Sequence, residues 1–366
     1  MGFYETLKEL EYTPFESIFS SISSAEIERI LQKKYVNDAD FLTLLSPAAI
    51  PFLDVLAKRA GETTAEHFNK KIVLYAPLYI SDHCVNHCDY CSFSVIHTFE
   101  RKRLSIPEIE LEANVLKEKG IQHVVVLTGE SKAHVSYSFF KKVIEILKDK
   151  FESVSIEIQP LESHQYEELR VNGVDGLTVY QEVYDEEIYK KVHIKGPKRN
   201  YLYRLDTAER ACKAGVSNVN IGALLGLGEW RKEAFFTAMH VKYLQTKYPK
   251  TQIGISFPRI RPHIGEFEPA VNVTDENLIQ IMLATRLFLP KSPMNISTRE
   301  NPTLRDQLIS FGVTNMSAAS STAVGGYVKQ ESMENTNYQF DISDERSVND
   351  IATMLKQKGF IPVVNP

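Results

Sequence analysis

Four cysteines in 366 residues are too few, and too unevenly spread, to build a disulfide framework. No apolar run approaches the roughly 18 residues of a membrane span, which argues against a membrane partner. The opening MGFYETLKEL has neither the basic nor the apolar region of a signal peptide, so a cytoplasmic location is expected. Met1, Gly2 and Thr6 fit a loose myristoylation pattern, but no polybasic segment follows to supply a second membrane signal. Basic charge is not in excess either: Lys and Arg total 42 against 47 Asp and Glu, a net charge of −5, and no basic run occurs. Nucleic acid therefore finds no phosphate-backbone footprint. Against these absences stand 43% hydrophobic and 24% charged residues, the balance of a folded globular protein, in a chain long enough for two average domains or one large barrel with an appendage.

Residues 1–71 read as a helical N-terminal extension, with caps and apolar residues at three- and four-residue spacing in SSAEIERILQKK and SPAAIPFLDVLAKRAGE. From 72 to 330, short apolar or alternating runs are each followed by an amphipathic stretch, eight times over. The candidate strands are 72–80, 123–129, 154–159, 176–182, 218–225, 252–258, 294–299 and 315–319. This predicts an α/β fold, a (β/α)₈ barrel of the TIM type, with a doubly wound open sheet as the alternative. Residues 331–366 are predicted to add a helix, RSVNDIATMLKQKG, and a tail that close the barrel. Several strands carry a polar face: Ser155, Glu157 and Gln159; Thr178, Tyr180 and Glu182; Asn295, Ser297 and Arg299. With helices covering the outside, that face points inward and predicts a hydrogen-bonding chamber in place of an aliphatic plug.

Cys84, Cys88 and Cys91 follow a C-x3-C-x2-C spacing directly after the first strand, at the C-terminal face where barrels keep their chemistry. Three neighbouring thiolates suit a soft metal. A Cys₃His zinc site with His83 or His87 is one option, but no second CxxC or distant Cys/His pair completes a structural zinc module. A [4Fe-4S] cluster fits better, because three thiolates leave one iron open to a small bidentate ligand. Here the chain resembles the radical S-adenosylmethionine superfamily, which carries CxxxCxxC after the first barrel strand and uses the cluster's electron to split S-adenosylmethionine into methionine and a 5′-deoxyadenosyl radical. The resemblance implies roles for further residues. In LTGES, Thr128, Gly129 and Glu130 match the glycine-glycine-glutamate motif that receives the methionine ammonium, with Thr in place of the first Gly. Tyr90 takes the aromatic place near the adenine. The stretch LYRLDTAERACKAGVSNVNIGALLGLGE is similar to one in biotin synthase, and implies that Arg204 pairs with the methionine carboxylate. Glu182, in VYQEVY, is implied as a further partner of the cofactor. Cys212, on an apolar helix face, is read as packing.

Longer motifs, VYQEVYDEEIYKKVHIKGPKRN, ISFPRIRPHIGEFEP and NISTRENPTLRDQLISFGVTNMSAASSTAVGGY, resemble the aromatic amino acid lyases of this superfamily, most closely the 2-iminoacetate synthases. That resemblance implies cleavage of the Cα–Cβ bond of L-tyrosine to 2-iminoacetate and p-cresol for the thiazole of thiamine. It also implies a thiazole synthase as recipient and a flavodoxin- or ferredoxin-type electron donor. Arg299 and Ser317 match family positions that hold the substrate head group, a task for which a planar guanidinium is suited. The related tyrosine lyase of hydrogenase maturation carries a second cysteine-bound cluster, for which no Cys follows Cys212 here; a tryptophan lyase shares the shorter architecture. Tyr180, Glu157 and His193 remain equal candidates for handling the phenol proton.

Overall fold

The computed structural model describes residues 2–328 and 337–364. Eight strands form its centre: β1 Lys71–Ser81, β2 His123–Thr128, β3 Ser153–Glu157, β4 Gly176–Glu182, β5 Asn218–Ala223, β6 Gln252–Ser256, β7 Met294–Ile296 and β8 Asn315–Ser317. Each pairs in parallel with the next, and β8 returns to β1 with Val73 opposite Asn315 and Tyr75 opposite Ser317. The sheet is therefore a closed barrel, and the open alternative is excluded because it would leave β1 and β8 as edges. All eight expected strands are present. The last two are shorter than expected, since the chain leaves the sheet at Ile296 and Ser317 and the residues beyond enter loops of the C-terminal face.

Local signals explain where the outer helices begin and end. Helix Ile106–Glu118 starts at Ser105, which shares a reciprocal capping box with Glu108. Helix Pro302–Phe311 starts at Asn301, whose side chain accepts the Leu304 N–H at 2.9 Å, has Pro in its first position, and stops at Gly312 with φ 136°. The helices between Phe3 and Phe68 pack on the outside of the barrel. Phe41 stacks on Phe288 with ring centroids 4.5 Å apart, and Gln280 donates to the carbonyls of Leu44 and Ser46. The turn from helix Leu53–Phe68 into β1 runs through Asn69, a residue type that tolerates the left-handed conformation it adopts here (φ 50°).

A ninth strand, β9 Ile361–Val363, follows helix Val348–Gln357 and pairs in parallel with β1, Lys71 opposite Ile361. Three residues carry no readable periodicity, so the sequence did not announce it. The boundary expected at 330 lies outside the described residues. No single described helix is long and apolar enough to cross a membrane.

The barrel interior holds a cavity of about 610 Å³, lined by Ser155, Thr178, Asn295 and Ser297 among others. Its polar groups partly satisfy one another: Asn220 donates to the Ser256 hydroxyl at 2.9 Å, and Asn295 donates to the Asn220 side-chain oxygen at 2.6 Å. Gln159 was expected on this face. It sits past the end of β3 and lines no part of the cavity.

Candidate active site

Above this cavity, at the C-terminal ends of the strands, lies a second compartment of about 110 Å³. Cys84, Cys88 and Cys91 line it together with Tyr90, Thr128, Gly129, Glu130, Glu182, Arg204 and Arg299. Of the residues implied as cluster, cofactor or substrate contacts, only Ser317 lies elsewhere. It lines the lower cavity, and its hydroxyl accepts the Thr298 N–H at 2.9 Å.

The cysteine loop is fixed by backbone contacts from two sides. His87–Cys88 pairs antiparallel with His193–Lys195 to make a small ribbon. On the other side Val85 N–H donates to the Glu130 carbonyl at 3.0 Å, and Gly129 approaches so closely that a β-carbon there would lie 2.4 Å from the His83 carbonyl oxygen. Only glycine fits at that contact. Asn86, inside the cysteine motif, ties three loops together: its amide donates to Glu130 at 2.8 Å and its oxygen accepts the Lys198 N–H at 2.9 Å.

Beside the thiols stands a ring of alternating charge. Arg204 meets Glu130 at 3.2 Å and Glu182 at 3.8 Å, and Lys198 meets Glu182 at 2.7 Å. Glu182 adopts φ 73°, a conformation uncommon for a side chain of its size, at a point where the β4–β5 register slips. Two carboxylates and two cations, all largely screened from water, offer both partners of an amino acid zwitterion. Tyr90 borders the ring, its hydroxyl 2.6 Å from His193 Nε2 and its face 5.7 Å from the Lys198 ammonium.

Burial raises the pKa of all three thiols, that of Cys91 to about 11, so without a metal they are neutral. No three His, Cys, Asp or Glu side chains among the described residues gather as ligands of a single metal ion. His83 instead stacks on His134 and His87 faces Asp89 at 3.2 Å, so neither imidazole completes a zinc site. The donor set left to a metal is three thiols on one pocket wall, which fits a cluster that gives each thiolate its own iron.

Arg299 lines this compartment without a counter-charge among the described residues. Its guanidinium lies over the Phe340 ring at 3.4 Å, its single hydrogen bond is a long one to the Arg259 carbonyl (3.4 Å), and no carboxylate among the described residues pairs with it. Burial lowers its pKa. Glu157 faces the same space without a hydrogen bond to any described residue, and burial, reinforced by Glu182, pushes its carboxyl up to about 7. His193 lines neither compartment, since its ring is held between Tyr90 and the Tyr189 carbonyl. Reading the sequence alone missed Asn86, Lys198, Gln339 and Phe340. Asn86 and Lys198 lie within motifs that were recognised as a whole, whereas Gln339 and Phe340 arrive from a segment with no pattern.

Residues 78–235 match the profile of the Radical SAM superfamily, and residues 256–361 match that of the Biotin and Thiamin Synthesis associated domain. The chain is 35% identical to the 2-iminoacetate synthase of Salmonella typhimurium and 36% identical to that of Escherichia coli, in each case over 99% of this chain and 95% of the relative. The chain belongs to the 2-iminoacetate synthase family of radical S-adenosylmethionine enzymes. Among solved structures, this family member resembles HydG, a maturase of the [FeFe]-hydrogenase, with a TM-score of 0.89 and 29% identity over 98% of this chain and 79% of that one. HydG from Carboxydothermus hydrogenoformans gives a TM-score of 0.84 and 32% identity, again over 98% of this chain and 82% of the other. The 2-iminoacetate synthases are thus matched along nearly their whole length and the HydG chains along about four fifths.

Proposed function

We propose that the protein is a radical S-adenosylmethionine lyase that cleaves the Cα–Cβ bond of L-tyrosine to 2-iminoacetate and p-cresol for the thiazole of thiamine. The observation that carries this reading is that one chamber holds three thiols, a ring of mixed charge and a buried Arg299 lacking a carboxylate partner. Cys84, Cys88 and Cys91 would hold the [4Fe-4S] cluster; Glu130, Arg204 and Glu182 would take the methionine head group, with Thr128, Gly129 and Tyr90 shaping its cradle. Bound there, cluster and cofactor supply a 5′-deoxyadenosyl radical.

The remaining work belongs to the chain. Arg299 clamps the tyrosine carboxylate through its planar fork and so keeps the amine facing the cofactor compartment. Ser317, one level lower, supports the loop after β7 through Thr298 and borders the space the substrate fills. The cleavage product would pass to a thiazole synthase, the electron would come from a flavodoxin- or ferredoxin-type donor, and the cytoplasm is the compartment consistent with both. The test is an anaerobic reaction of reconstituted protein with S-adenosylmethionine and each aromatic amino acid, with products identified by mass. p-Cresol and 5′-deoxyadenosine from tyrosine alone support the reading; indole-derived products from tryptophan, or intact S-adenosylmethionine in iron-loaded protein, overturn it.

A further inference from the structure

We propose that Glu157 reads the substrate's phenol, accepting its O–H while Arg299 holds the carboxylate at the opposite end of the molecule. This rests on the tyrosine lyase reading above. Glu157 ends β3 and Arg299 follows β7, four strands apart in a ring of eight, so the two side chains reach into the lumen from opposite walls. Both line the upper compartment and the lower cavity, which places them where the two spaces join. Each shifts the other's titration, yet no ion pair joins them. A buried carboxyl and a buried guanidinium that face one space without touching leave a gap with an anion-binding end and a hydroxyl-accepting end. An amino acid with a para-hydroxyl on its side chain has the matching ends.

Two other groups that could meet a phenol are engaged elsewhere. Tyr79 donates to Gln339 at 2.7 Å and His193 is outside the chamber, while the Tyr180 hydroxyl, with no hydrogen bond to a described residue, is the competing candidate that the test below includes. Of the three carboxylates that line the upper compartment, Glu130, Glu157 and Glu182, only Glu157 has no hydrogen-bond partner among the described residues. The burial that pushes its carboxyl up to about 7 also makes the group able to accept a proton near neutrality. A substrate lacking the hydroxyl would leave that buried carboxyl unpaired, the situation in which a site discriminates most strongly between two ligands of nearly equal shape.

The experiment compares anaerobic equilibrium binding of L-tyrosine and L-phenylalanine to cluster- and cofactor-loaded enzyme in the wild type, Glu157→Gln, Glu157→Asp and Tyr180→Phe. Wild type should prefer tyrosine, and Glu157→Gln should lose about ten- to a hundredfold of that preference while phenylalanine binding stays level. Glu157→Asp, which keeps the charge but withdraws it from the lumen, should lose part of the preference and carries the test if the Gln variant does not fold. A preference unchanged in both Glu157 variants, or lost in Tyr180→Phe instead, overturns the assignment. If wild type itself neither prefers tyrosine nor forms p-cresol, it is the tyrosine lyase reading that fails.

Discussion

Arg286 and Arg305 are fully buried and Arg299 faces the chamber, and the surroundings of the three separate structure from ligand binding. Arg305 pairs with Asp344 and the Ser317 carbonyl, and Arg286 donates to the carbonyls of Pro290, Ser292 and Gly312 at 3.0, 2.9 and 2.6 Å. Both are tied to the fold through their terminal nitrogens, with only Nε of each left without a partner. Arg299, over Phe340 and facing the chamber, has only its long bond to the Arg259 carbonyl. Arg299→Ala should therefore keep iron content and S-adenosylmethionine binding but lower the yield of p-cresol per 5′-deoxyadenosine by about a hundredfold, since the amine is no longer held in place. Arg299→Lys should rescue little, because a point charge lacks the two-bond fork. A ratio unchanged beside a lowered melting temperature would mark Arg299 as structural. Arg204 behaves differently, for it already bridges Glu130 and Glu182. Arg204→Ala should weaken S-adenosylmethionine binding roughly ten- to a hundredfold, measured by equilibrium dialysis, and should also lower stability by about 3 kcal/mol, because two buried carboxylates lose their guanidinium.

At the scale of elements, the site is a meeting of loops, each tied to the cysteine motif by main-chain contact. The Gly129 approach is the tightest of these. Gly129→Ala must push the β2 loop away from His83 and should lower both the iron retained per chain after reconstitution and the melting temperature; full iron loading would show that the loop can move at no cost. Cys212→Ser is the contrasting case, since Cys212 is buried in helix Thr207–Lys213 away from the pocket, and its iron content should match wild type. The same contrast explains what was legible in the sequence. The cysteine spacing, the Thr-Gly-Glu turn and the polar faces of β3, β4 and β7 are local patterns; the structure brings the first two to the upper compartment and the polar faces, Gln159 excepted, to that compartment and the cavity beneath it. The role of Asn86 as a tie between three loops, and the approach of Gln339 and Phe340 over the chamber, depend on contacts between distant segments and leave no periodic trace. Glu157 was visible as a candidate but could not be ranked, because its lack of a partner is a property of space and not of order along the chain.

For the molecule as a whole, the eightfold alternation predicted the barrel, while its closure could be known only from the β1–β8 register. Burial on this scale also sets a pH response. Glu233, inside helix Trp230–Lys247 and accepting the Tyr184 N–H at 2.8 Å, has its carboxyl pushed up to about 8, chiefly by burial. An unfolded glutamate titrates near ~4.3, so between about pH 4.3 and 8 the folded chain keeps a proton that the unfolded chain has released. Stability should accordingly fall as pH rises through that window, with Glu157 acting in the same direction. Glu233→Gln should flatten the fall in a series of thermal melts from about pH 5 to about pH 9, and an unaltered slope would show that Glu233 does not titrate there. A different consequence follows from β1, which bonds to both β8 and β9. The strand that leads into the cysteine loop is flanked by segments far from it along the chain, so before they dock it pairs with β2 alone. Until β8 docks, β1 is an open edge and the thiols of the loop that follows it lack one side of their barrel. Closing the barrel beside the cysteine loop therefore joins residues far apart along the chain, a slow and non-local step of folding.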